Sequence, residues 1–164
     1  MSNRNDMKKN LKIKVTFLLL AGLLISLVTG FYLYNMPDRD IAASESDFTL
    51  SVDALVDEFL ENTKAANNKY LDESGESSII TISGPLADIS EDFNGQIVLL
   101  LKSPSAQAGI SATLNKDSPS RIKDFVKGNL YQLKGVIRSG ANYDSDLEMY
   151  ENVILEKCEV INPL

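Results

Sequence analysis

The 164-residue sequence has no histidine, no tryptophan and a single cysteine, Cys158. One cysteine excludes an intramolecular disulfide, and without His or a Cys cluster a zinc site has almost no ligands. The lack of His also removes the Ser-His and Cys-His nucleophile pairs and the usual proton-transfer base near neutral pH. Carboxylates are the only plentiful reactive groups, and nothing in the sequence brings two of them together. Ser103, Ser105, Ser118 and Ser120 stand in loop segments with no activating base. Each glycine that could open a phosphate-cradling loop is taken by a turn, a helix end or a strand bend. The chain therefore reads as non-enzymatic, with no catalytic residue, no cofactor site and no metal site. Cys158, inside the apolar-rich run VILEKCEVI, reads as a small core side chain and not as a reactive thiol.

Charge of one sign is scarce in each part of the chain. Residues 1–14 carry Arg4, Lys8, Lys9, Lys12 and Lys14 against Asp6 alone, a balance of +4, which leaves 11 Lys and Arg against 22 Asp and Glu in the remainder, a balance of −11. Between them Ile13 to Tyr34 reads IKVTFLLLAGLLISLVTGFYLY, with Lys14 as its one charge. As a helix this run is about 33 Å long, enough for a hydrocarbon layer of about 30 Å. Lysines before it and Asp38, Asp40, Glu45 and Asp47 after it place the N-terminus in the cytoplasm and the acidic part outside. A cleaved signal peptide is the competing reading, with small Gly30 near a cleavage site, but the apolar run continues through Phe31 to Tyr34. Gly22, Ser26 and Gly30 recur every four residues and put three small side chains on one helix face, the pattern of a membrane helix pair and hence of a homodimer. The expected organisation is a basic tail over 1–12, a transmembrane helix over 13–34, a linker over 35–50 and an extracytoplasmic domain over 51–164.

Within that domain Val52, Leu55, Val56, Phe59, Leu60, Ala66 and Tyr70 form one stripe at spacings of three and four, predicting a single amphipathic helix with Ser51 as its N-cap. DESGES, residues 72–77, reads as a turn. Strands are expected over 79–89, bent or bulged at Gly84-Pro85, then over 96–102 after the Asn-Gly turn of EDFNG, and over 109–114. Ser118, Pro119, Lys127 and Gly128 mark the ends of a second helix of about nine residues, with Ile122, Phe125 and Val126 on one face. A fourth strand over 130–138 comes next. Residues 139–151 read as a polar connection, and 152–161 as the fifth strand. Five strands with a bent, glycine-containing first strand and a helix between the third and fourth predict a mainly β, five-stranded OB-fold barrel. The first helix would close one end of it and the second the other. Ile80, Ile82, Leu86, Leu99, Leu101, Leu114, Tyr131, Leu133, Ile137 and Leu155 are its expected core, and Gly135 marks a close approach inside the fourth strand.

Four stretches stand out between about residue 50 and 161: the helix ending Asn68, Lys69, Tyr70, the strand ISGPLADI, FVKGNLYQLKG around Gly128 and Gly135, and LEKCEVI. In these the chain resembles the tRNA-anticodon-like OB-fold family of bacterial membrane-anchored and secreted proteins. The resemblance implies an OB-fold and brings no established active site. Single-stranded nucleic acid needs a basic groove with aromatic platforms, whereas QIVLLLK and GISATL hold no aromatic residue and the domain is acidic. Phe93, in the turn before the first of these strands, is the one candidate platform. Asp144, Asp146 and Glu148 alternate like calcium ligands, but an EF-hand needs Gly at its sixth position and Glu at its twelfth, and counting from Asp144 these are Met149 and Leu155. The expectation is a membrane-tethered interaction module with a protein partner, using Phe93, Gln96, Asp144, Asp146 and Glu148 as its face. The alternative is an OB-fold binder of a small ligand or of single-stranded nucleic acid.

Overall fold

The structure, a computed structural model, describes residues 3–34, 40–41, 43–73 and 76–163. It divides into two compact units, Met1–Arg39 and Asp40–Leu164. The first holds helix α1, Asn3–Tyr34. Phe17, Leu18, Ile25, Val28 and Phe31 are exposed on it. Among the described residues no helix is long and apolar enough to cross a membrane. The span expected over 13–34 stands on the sequence alone.

The second unit is built on a closed barrel. Its strands are β2 (Ile79–Glu91), β3 (Ile97–Leu101), β4 (Ile110–Leu114), β5 (Leu130–Ser139) and β8 (Val153–Pro163), with β1 (Phe48–Ser51) added outside and β6 (Asn142–Asp144) and β7 (Met149–Glu151) forming a separate hairpin. The circuit β2-β3-β4-β8-β5 closes because β2 pairs twice. Residues 79–85 run antiparallel to β5, and 86–91 antiparallel to β3. The pairing of β4 with β8 is parallel and the others in the circuit are antiparallel. This is the OB-like arrangement expected from the sequence. All ten expected core residues are buried, none more than 4 % exposed.

Several local expectations are corrected. The linker does not extend to residue 50, because Phe48–Ser51 pairs in parallel with Ile80–Ser83. Asp47 locks the entry to that strand: its N–H donates to the Ile79 carbonyl at 2.8 Å, and its carboxylate accepts from the Ile79 N–H at 2.8 Å. A four-residue strand shows too few alternations to be read from sequence. Residues 35–39 lie outside the described residues, as do 74–75 in the expected DESGES turn. The stripe over 52–70 forms two helices, α2 (Val52–Glu61) and α3 (Thr63–Tyr70). Asn62 ends the first with its N–H on the Glu58 carbonyl and starts the second by accepting from the Ala65 N–H at 3.1 Å. The stripe survives the break, since Val52, Leu55, Val56, Phe59, Ala66 and Tyr70 all join the barrel core.

The irregularity expected in β2 at Gly84-Pro85 lies just beyond that pair. The register slips between Leu86 and Asp88, whereas Gly84 and Pro85 stay paired with Tyr131 and Leu130. Gly84 makes room for α2: a Cβ there would sit inside the Val52 side chain. The second helix is reduced to a single 3-10 turn, Ile122–Asp124. Only Phe125 of its expected face is buried, while Ile122 and Val126 are exposed, so a longer helix would have no apolar stripe to bury. Phe125 plugs this end against Tyr131, ring centroids 5.5 Å apart. The supposed polar connection over 139–151 contains the β6–β7 hairpin, with Tyr143 paired to Tyr150.

Candidate functional site

The residues expected to form one partner face lie in two places. Phe93 and Gln96 belong to the β2–β3 turn, which meets β4 at its C-terminal end: Gln96 Nε2 donates to the Leu114 carbonyl at 2.9 Å. Asp144, Asp146 and Glu148 belong to the β6–β7 hairpin, whose exit strand β8 meets β4 at its N-terminal end through Ile110 and Val153. The structure does not bring the two groups together. The whole length of β4 separates their anchoring points.

At the first place Asp92 organises the turn. Its Oδ1 accepts from the N–H groups of Asn94 and Gln96, both at 2.8 Å. These bonds, that from Gln96 above all, hold the Asp92 carboxyl below its ordinary value. Gly95 completes the turn at φ 73°, a conformation that suits glycine. Phe93 projects wholly into solvent. Beside the turn is a shallow pocket of about 230 Å³ whose walls include Asn94, Gln96, Asn115, Lys116, Ser118 and Ser120. Sequence reasoning found Gln96 but not Asn115 or Lys116. Only the register of β3 against β4 puts those two beside the turn, and no local signal could have done so.

In the hairpin Asp144 is a turn former before it is anything else. Its Oδ1 accepts from the N–H groups of Asp146 at 2.8 Å and Leu147 at 3.0 Å, closing the turn, while Glu148 takes a left-handed φ of 52°. Asp146 and Glu148 are exposed, and among the described residues no hairpin acid pairs with a Lys or Arg. The Tyr143 and Tyr150 rings meet at a tilt of 51°, centroids 4.8 Å apart. Leu147 and Met149, both missed as candidates, are 66 % and 51 % exposed at the tip. Among the described residues no group of three or more His, Cys, Asp and Glu is placed to hold a metal ion.

Between these places runs the outer surface of β3 and β4. Val98 and Leu100 alternate outward beside Thr113 and Ser111, flanked by Ser90 and Asp88 on β2. It carries neither an aromatic ring nor a basic side chain, and Lys127 at its margin is held by Asp88 at 2.5 Å. On α1, Gly22 and Gly30 have open space where a Cβ would stand, and Ser26 Oγ donates to the Gly22 carbonyl of its own helix at 3.0 Å. Cys158 is fully buried, and burial, followed by the nearby Glu156 charge, pushes its thiol up and keeps it protonated.

No curated protein matches the chain. A family model described as tRNA_anti-like matches residues 5–146, from α1 through barrel strands β2 to β5 into the hairpin turn, leaving β7 and β8 outside. With well over half of its length in that match, the chain belongs to the tRNA_anti-like family.

Proposed function

We propose that this protein is a non-enzymatic OB-fold binding module, tethered to a membrane by α1 and engaging a protein partner through the β6–β7 hairpin. The hairpin is the observation that carries the reading. It projects exposed Tyr143, Leu147 and Met149 among the carboxylates of Asp144, Asp146, Glu148 and Glu151, which no cation among the described residues pairs. A basic surface with an apolar cleft complements that combination. The overall acidity of the domain favours the same kind of partner. The apolar run Ile13–Tyr34, its basic flank and the exposed apolar side chains of α1 support the tether. Tethering raises the effective concentration of partners on the same membrane, so a weak contact is occupied. Gly22, Ser26 and Gly30 supply a face for pairing two such helices.

The outer face of β3 and β4, without rings or cations, does not favour the nucleic-acid reading. The test is photocrosslinking of the full chain in its native membrane, with a photoreactive side chain at position 147 and, as control, at position 64 in α3. A single protein adduct at 147, weakened by salt and absent at 64, is the expected result. Equal adducts at both positions, or saturable micromolar binding of single-stranded DNA or RNA to the full chain in nanodiscs, would overturn the proposal.

A further inference from the structure

We infer that the protein partner of the β6–β7 hairpin is a second copy of this chain, which receives the hairpin on the segment joining β4 to β5, so that copies join head to tail. This rests on the hairpin reading above and names its partner. The two surfaces match in charge and in apolar content. The hairpin, residues 142–151, carries Asp144, Asp146, Glu148 and Glu151 and no Lys or Arg, a balance of −4, around exposed Leu147 and Met149. Residues 116–130 carry Lys116, Arg121, Lys123 and Lys127 against Asp117 and Asp124, a balance of +2, around exposed Ile122, Val126 and Leu130. Asp124 is engaged within its own segment, where its Oδ2 accepts from the Arg121 N–H at 2.8 Å. Among the described residues Arg121 and Lys123 make no ion pair. This is the basic, apolar surface that the hairpin calls for.

The two surfaces stand at opposite ends of one strand. β5 begins at Leu130, where the basic segment ends, and finishes at Ser139, three residues before the hairpin. Ten residues of strand are about 30 Å, several times the Debye length of about 8 Å at physiological salt. Neither patch is neutralised by the other within one molecule, and each is left to meet another copy. The basic segment is also held in place beforehand. Phe125 is buried beneath it, and the Val126 N–H donates to the Tyr131 hydroxyl at 2.9 Å. The Gly128 N–H donates to the Leu86 carbonyl at 2.8 Å, and the Leu86 N–H to the Asn129 carbonyl at 2.9 Å. Asp144 does the same for the hairpin turn, so little freedom is lost on contact. Hairpin against hairpin would set −4 against −4, so the charges select a heterologous contact over a two-fold one. An anionic lipid surface would suit the basic segment but leave the hairpin unmatched.

The experiment is crosslinking between copies of the full chain in its native membrane. Two differently tagged versions are co-expressed, one with Leu147→Cys and one with Val126→Cys, and treated with a short bis-maleimide, to which buried Cys158 stays silent. An adduct joining 147 of one copy to 126 of the other is expected, in clear excess over the 147–147 adduct of two Leu147→Cys copies. Adding Lys123→Glu to the Val126→Cys version is expected to lower its yield about fivefold, and adding Asp146→Lys to the other version to restore it. Capture of a different protein from a photoreactive position 147, without the 147–126 adduct, would overturn this inference and leave the hairpin reading standing. No protein captured from 147 at all would overturn both. Lipid captured from position 126 in place of a second copy, or a 147–126 yield indifferent to both charge substitutions, would also overturn it.

Discussion

Gly135 shows how much of this fold depends on the absence of one methyl group. A Cβ there would lie 2.5 Å from Cys158 Sγ and 3.2 Å from the Glu156 carbonyl, at the register shift where β5 pairs with β8. Val at 135 adds volume to a site with no void, and overpacking of this kind costs about 1–3 kcal/mol. Gly135→Val is expected to lower the urea midpoint of unfolding. In the same variant the Cys158 thiol, inert in the native protein, is expected to react with a maleimide at the rate set by local opening. Unchanged stability together with an unreactive thiol would show that the two strands part without cost. The sequence marks Gly135 as a close approach and Cys158 as core, and the structure agrees on both. Their contact with each other is not legible there, because it depends on a pairing between segments far apart in the chain.

The join of α2 and α3 has a chemical lock. Glu58 Oε2 accepts from Lys69 Nζ and from the Tyr70 hydroxyl, both at 2.8 Å, and Lys69 also lies 4.7 Å from the centre of the Tyr70 ring. The Lys69 bond first, and the Tyr70 bond second, hold the Glu58 carboxyl below its usual 4.5. A carboxyl depressed in the folded state contributes stability that is complete above the unfolded value and drains as the pH falls through the folded one. Asp88, held down chiefly by Lys127, and Asp92, held down chiefly by the Gln96 N–H, act in the same direction from their ordinary 3.8. The melting temperature is therefore expected to be flat from neutral pH down to the unfolded Glu value and to decline below it. Glu58→Gln should make that decline shallower, and thermal melts monitored by circular dichroism from pH 7 to pH 3 check both. A decline beginning near neutrality would mean that another group governs acid stability.

At this same scale the helix and strand signals divide by what they depend on. Stripes and alternation are legible wherever an element buries one face over several turns or pairs, as in α2 and in the barrel strands. The helix expected from Ser118 to Lys127 fails because its end signals are present without a face to bury. The hairpin escapes notice because Asp144 and Glu148 read as a charged loop, although Tyr143 and Tyr150 flank the turn symmetrically.

For the whole molecule the proposed topology makes one prediction that can be read directly. Protease added to intact spheroplasts is expected to digest the Asp38–Leu164 part and spare the basic tail of residues 1–12, as followed with tags at each end. Protection of the domain with an accessible N-terminus would reverse the orientation and remove the membrane-surface partner reading with it.

The sequence by itself determined the features that composition and short-range periodicity carry: the absence of histidine chemistry, the charge asymmetry, the apolar run, the five barrel strands and their core residues. These are legible because hydrophobic burial stamps a period of 2 or 3.6 on the chain wherever an element meets the core. Only the tertiary structure decided the parallel strand β1, the space that Gly84 leaves for Val52, and the parting of Phe93 and Gln96 from the Asp144 hairpin. It also decided the meeting of Asn94 and Gln96 with Asn115 and Lys116. Each of these depends on strand register and barrel closure, which set distances between residues far apart in sequence and leave no mark on the local pattern.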